Sequence, residues 1–81
     1  MTLIQAKALA TWYSSQFSSD NSDMLYLHGF IQQMQELPDD KVEKGMRWLG
    51  FIQGALWANC FYTIEALKNH SRLAANDLPI E

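Results

Sequence analysis

Apolar residues recur along this chain at three- and four-residue intervals, the period of helices packed by one face. Leu3, Ala6, Ala10, Tyr13 and Phe17 form one stripe and predict a helix over 3 to 17, with Thr2 as its cap and Trp12 pointing away from the stripe. Met24, Leu27, Ile31 and Met34, broadened by Phe30, form the buried face of a second helix over 23 to 36. Its expected cap is Ser22, with Asp23 in the first turn where the helix dipole favours negative charge, and residues 18 to 22 read as a loop. Leu37-Pro38 ends it, because the residue before a proline is pushed out of the α region. Thr63 caps a short fourth helix over 64 to 74, with Ile64, Leu67 and Leu73 as its apolar positions.

The third helix, over 40 to 60, is the longest and most apolar. Val42, Met46, Leu49, Leu56 and Cys60 make a seam broken only by Gln53; Trp48, Phe51 and Ala55 lie opposite, and Gly50, Gly54 and Ala58 form a strip of small residues between. A helix apolar nearly all round is expected to be buried nearly all round, so the others should coat it. The strip predicts a close crossing with a neighbour, and Gly29 does the same for the second helix. Asp39 or Asp40 is the expected cap, since Asp40-Lys41-Val42-Glu43 has the spacing of a reciprocal capping pair. The reading is an all-α fold: one four-helix domain over 1 to 81 around a central helix, with 76 to 81 as a flexible tail.

Composition adds a second surface to this picture. Of 81 residues, 48% are hydrophobic and 12% aromatic, more than one small core consumes, so a homo-oligomer or a partner is expected to cover the surplus, through a surface that includes Trp48 or Phe51. The net charge of −3 leaves no basic patch for a phosphate backbone, which argues against nucleic acid and anionic lipid. A single cysteine fits a reducing, cytosolic compartment. The opening MTLIQAKALATWY lacks the continuous apolar core of a signal peptide. The most apolar run, 48 to 62, contains Gln53 and Asn59 and is shorter than the ~20 residues of a membrane span, so no direct membrane insertion is expected.

Candidate chemistry is sparse. His28 sits at the edge of the second helix's buried stripe and His70 on the exposed side of the fourth, neither with a partner at metal-ligand spacing. Cys60 reads as a small core hydrophobe. The group Asp20-Asn21-Ser22-Asp23 lacks the glycine and distal glutamate of a calcium loop, and Asp39, Asp40 and Glu43 are spaced as a helix start. These patterns predict no catalytic residue, metal or cofactor; an enzyme or ligand-binding bundle would need a polar cavity, for which Gln53, Asn59 and His28 are the only inward candidates. Trp12, Arg47, Trp48 and Phe51 are the candidate protein-binding residues, because aromatic and arginine side chains dominate binding hot spots. The far side of the core is the competing place for the three aromatics.

RWLGFIQGALW, residues 47 to 57, followed by YTIEALKNHSR, residues 62 to 72, resembles the RIII lysis-inhibition accessory proteins of T-even and related tailed bacteriophages. The resemblance covers the C-terminal half; the N-terminal half matches by length and helical pattern. Cys60 stands where glycine is expected to end the helix. The resemblance implies a non-enzymatic cytosolic phage protein that binds the cytoplasmic segment of a holin and delays lysis. The alternative from the residues is a small phage counter-defence protein that blocks a host enzyme.

Overall fold

The computed structural model describes residues 1–17 and 24–80, and in it the chain folds into four helices, with no strand among the described residues. They are α1 (Leu3–Gln16), α2 (Leu25–Gln35), α3 (Val42–Ala58) and α4 (Ile64–Ala75). The expected cap at Ser22, the first-turn Asp23 and the loop of 18 to 22 lie outside the described residues. The two threonine caps form. Thr2 Oγ1 accepts from the Gln5 N–H at 3.1 Å while Gln5 Oε1 accepts from the Thr2 N–H at 2.8 Å, a reciprocal pair that satisfies two donors of the helix end. Thr63 Oγ1 accepts from the Ala66 N–H at 3.1 Å.

The expected cap at Asp39 or Asp40 does not form. The Lys41 N–H instead bonds back to the Pro38 carbonyl at 3.0 Å, closing a tight turn across the two aspartates, and α3 starts at an N-cap of Lys41 with no side-chain bond. Asp39 and Asp40 are the central residues of that turn, with both carboxylates in solvent.

The hub of the fold is α1, not α3. α1 packs against each of the other three helices more extensively than those helices pack against one another. Its buried face is Leu3, Ala6, Leu9, Ala10 and Tyr13, continued by Phe17, and the two alanines let neighbouring backbones come close. α3 buries one stripe only, Gly45, Leu49, Ile52 and Leu56. Leu49 and Leu56 are core as expected, but Val42 is 41% exposed, Met46 is half-buried and Cys60 is exposed. The true stripe is rotated from the expected one because Gly45, which carries no hydrophobic signal, faces Leu3, whose side chain takes the space a Cβ would need. The small strip is not a crossing point within the domain: Gly50, Gly54 and Ala58 are exposed. A Cβ built at Gly29, Gly50 or Gly54 would meet nothing within 4 Å, so the expected close approach at Gly29 is also absent.

α3 and α4 end alike. Cys60 adopts φ 62°, its N–H bonds the Trp57 carbonyl at 3.0 Å, and the Phe61 N–H bonds the Leu56 carbonyl at 2.9 Å. Asp77 at φ 56° repeats the pattern, with bonds from Asp77 to Ala74 (3.2 Å) and from Leu78 to Leu73 (2.9 Å). These are Schellman ends with side-chain-bearing residues at the position that favours glycine. Cys60 therefore occupies the expected glycine place and is drawn out of the core by it. Two of the described residues in the expected flexible tail make contacts: Asp77 Oδ1 accepts from Gln5 Nε2 at 3.0 Å, beside the bond of that amide to the Ala75 carbonyl of α4 at 3.2 Å, and Ile80 packs on the core. The radius of gyration, 11.8 Å, matches the ~11.7 Å of a globule of this length. Exposed aromatic rings are thus placed there by the packing, and do not reflect an open chain.

Candidate protein-binding surface

The helical register brings aromatic side chains together in two places. On the α2–α3 face, Phe30 stacks at 4.7 Å on Trp48 and at 4.8 Å on Phe51, and Tyr26 approaches Phe51 at 6.4 Å. Tyr26 and Phe30 are one turn apart on α2, and Trp48 and Phe51 one turn apart on α3, so two i, i+3 or i+4 pairs interlock. Tyr26 and Phe51 are each about half exposed, while Phe30 and Trp48 have one side against the core. The Lys44 ammonium lies 5.2 Å from the centre of the Trp48 ring, a cation–π contact one turn earlier on α3. Arg47 is exposed beside Trp48. Three of the four candidate residues, Arg47, Trp48 and Phe51, therefore belong to one surface region.

Trp12 belongs to the other place. Its ring packs at 4.9 Å on His70, at 5.4 Å on Tyr13 and at 6.2 Å on Tyr62, across the α1–α4 contact. His70 is not on the exposed side of α4 but 3% exposed. Burial is possible because a partner awaits it: the Tyr13 hydroxyl stands 3.0 Å from His70 Nδ1. The same hydroxyl accepts from Gln53 Nε2 at 3.1 Å, and that amide also donates to Ser71 Oγ at 2.9 Å. The Tyr13–His70 contact is one hydrogen bond, whose donor is set by the imidazole tautomer. Burial pushes the Tyr13 phenol up from 10.0 to about 12, against the opposing bond from Gln53 and with a smaller contribution from Tyr62. Burial raises Tyr62 as well. Gln53, the polar break in the expected seam, is thus the link between α1, α3 and α4.

Chemically this network is a brace. Ser71 is bonded to an amide and not to an imidazole, and the Tyr13 hydroxyl faces His70 Nδ1 inside the packed rings, so the bonds tie α1, α3 and α4 together. Among the described residues no group of three His, Cys, Asp or Glu side chains is placed to hold a metal. His28 packs at 4.3 Å on Phe17, with its Nε2 buried and without a hydrogen bond among the described residues. No helix of the described residues is long and apolar enough to cross a membrane. No protein-family model matches the chain, and neither does a curated protein or a solved structure.

Tyr26 and Phe30 complete the α2–α3 aromatic face, and pattern reading assigned neither to it. The available signal was their one-turn spacing on the flank of the Leu27–Ile31–Met34 stripe.

Proposed function

We propose that this chain is a protein-binding module whose α2–α3 aromatic face takes an apolar segment of a partner protein, and that the partner is the cytoplasmic segment of a phage holin. The observation that carries the binding role is the contiguous set of Tyr26, Phe30, Trp48 and Phe51, of which Tyr26 and Phe51 are half exposed, on an otherwise normally compact globule. Rigid aromatic rings already stacked on one another lose little freedom on binding, which is why such rings anchor interfaces. The identity of the partner rests on the resemblance of residues 47 to 57 and 62 to 72 to the RIII proteins. The net charge of −3 suits a basic juxtamembrane segment. Binding the non-triggered holin better than the triggered one by about 1.4 kcal/mol shifts the equilibrium tenfold and delays lysis.

The test is titration of the purified protein with the holin's cytoplasmic peptide, repeated with Trp48→Ala and Phe51→Ala. Each substitution is expected to weaken binding by roughly tenfold or more, the cost of truncating an aromatic anchor. Absence of binding by the wild type, together with normal lysis inhibition in a phage lacking this gene, rules the reading out.

A further inference from the structure

α3 and α4 each pack on α1 more extensively than on one another, and a groove of about 400 Å³ opens between them. That volume is in the range of small-molecule sites. The groove is graded along its length. At the end nearest the α3–α4 turn its walls are Trp57, Ile64 and Leu67, the first two about half exposed. One turn further on, the same two helices supply only polar groups: Gln53 four residues before Trp57 on α3, and Lys68 and Ser71 four residues after Ile64 and Leu67 on α4. Trp57 and Ile64 also line a second hollow of about 360 Å³ over the turn itself, which extends the apolar end.

The polar end is built to donate. Both hydrogens of the Gln53 amide are committed, one to the Tyr13 hydroxyl at 3.1 Å and one to Ser71 Oγ at 2.9 Å. Ser71 Oγ is thereby held as an acceptor and keeps its own hydrogen, for which no acceptor stands among the described residues. The Lys68 ammonium has no ion-pair or hydrogen-bond partner among the described residues either, and its long stem lets it swing across the groove mouth. In a chain of net charge −3, the lining holds one ammonium and no carboxylate. Glu43 and Glu65, the acidic residues of α3 and α4, both lie outside it.

We propose that the α3–α4 groove binds an amphiphilic monocarboxylate, its apolar body on Trp57, Ile64 and Leu67 and its carboxylate accepting from the Ser71 hydroxyl and the Lys68 ammonium. The groove lies on the side of α3 away from the Trp48–Phe51 face, so the proposal does not rest on the holin reading. The probes are decanoate, decan-1-ol and decyltrimethylammonium, which share an alkyl chain and differ in the head. Each is titrated to about 5 mM, the weak end for ligands this small, into the labelled full chain followed by heteronuclear NMR. Decanoate is expected to bind several-fold tighter than decan-1-ol and tighter still than the cation, shifting the Trp57 indole N–H, the Gln53 side-chain amide and the backbone of residues 64 to 71. Lys68→Gln, at an exposed position, should weaken decanoate by roughly fivefold, the value of one exposed charge pair, and leave decan-1-ol unchanged. Trp57→Ala should weaken both by roughly tenfold. No binding of decanoate, equal affinity for the three heads, an unchanged decanoate affinity in Lys68→Gln, or shifts centred on Trp48 and Phe51 overturns the proposal.

Discussion

Replacing Tyr13 by phenylalanine removes one oxygen from a fully buried ring and should cost more than its size suggests. The hydroxyl bridges two helices, accepting from Gln53 on α3 and facing His70 Nδ1 on α4. In the variant, Gln53 keeps its bond to Ser71, but Nδ1 loses the Tyr13 hydroxyl inside the packed ring cluster. Losing one hydrogen bond of a buried network costs about 1 kcal/mol, and that is the expected loss at pH 7. The pH dependence makes the reading specific. The folded phenol titrates near 12 and the unfolded one near 10.0, so above pH 10 the unfolded chain releases a proton that the folded chain retains. The stability tied to the neutral phenol is complete below pH 10 and is lost as pH rises through 12. A displacement from 10.0 to about 12 corresponds to about 2.7 kcal/mol, of which solvent screening leaves roughly 1 to 2. The gap between wild type and Tyr13→Phe should therefore narrow by roughly 1 kcal/mol between pH 7 and 11. Urea melts followed by far-ultraviolet circular dichroism at the two pH values measure it, and groups common to both proteins cancel in the difference. Equal stability at pH 7, or a gap of the same size at pH 11, refutes the brace.

Leu56 is fully buried, so Leu56→Ala should lower the unfolding free energy by roughly 2 to 5 kcal/mol in denaturant melts, through lost transfer energy and the cavity left behind. Cys60→Gly should act in the opposite direction. The residue is exposed at φ 62°, and relieving a side chain in the left-handed region is worth about 1 kcal/mol, or roughly 4 to 8 °C in melting temperature for a domain of this size.

The local half of the fold is legible in the residues. Periodicity places the four helices, and Thr2 and Thr63 announce their caps because each needs only a partner three residues on. Leu49 and Leu56 are identified by spacing alone. The non-local half is not legible. Which helix sits at the centre depends on who approaches whom: α1 takes that place with Ala6 and Ala10, whose value is the room they leave, whereas the apolar bulk of α3 is spent largely on a surface. Gly45 is silent to any hydrophobic pattern until Leu3 is seen filling its space. His70 reads as an outward polar residue because the hydroxyl that accommodates it comes from Tyr13, 57 positions earlier. The candidate surface divides the same way. Trp48 and Phe51 stand out as aromatics off the seam, but Tyr26 and Phe30 join them only once α2 docks on α3, and Trp12 is drawn away to α4.

The clasp between the first turn of α1 and the end of α4 bears on how the protein comes into being. Gln5 holds the Ala75 carbonyl and Asp77, 70 and 72 positions later, and α1 buries its face only against helices made after it. On the ribosome, where the first helix emerges well before the last, α1 has no complete site to enter until α4 has left the exit tunnel. The α4 side of α1 stays open to solvent for that interval, and a chain cut short before α4 lacks the His70 and Leu67 side chains that are buried with Tyr13.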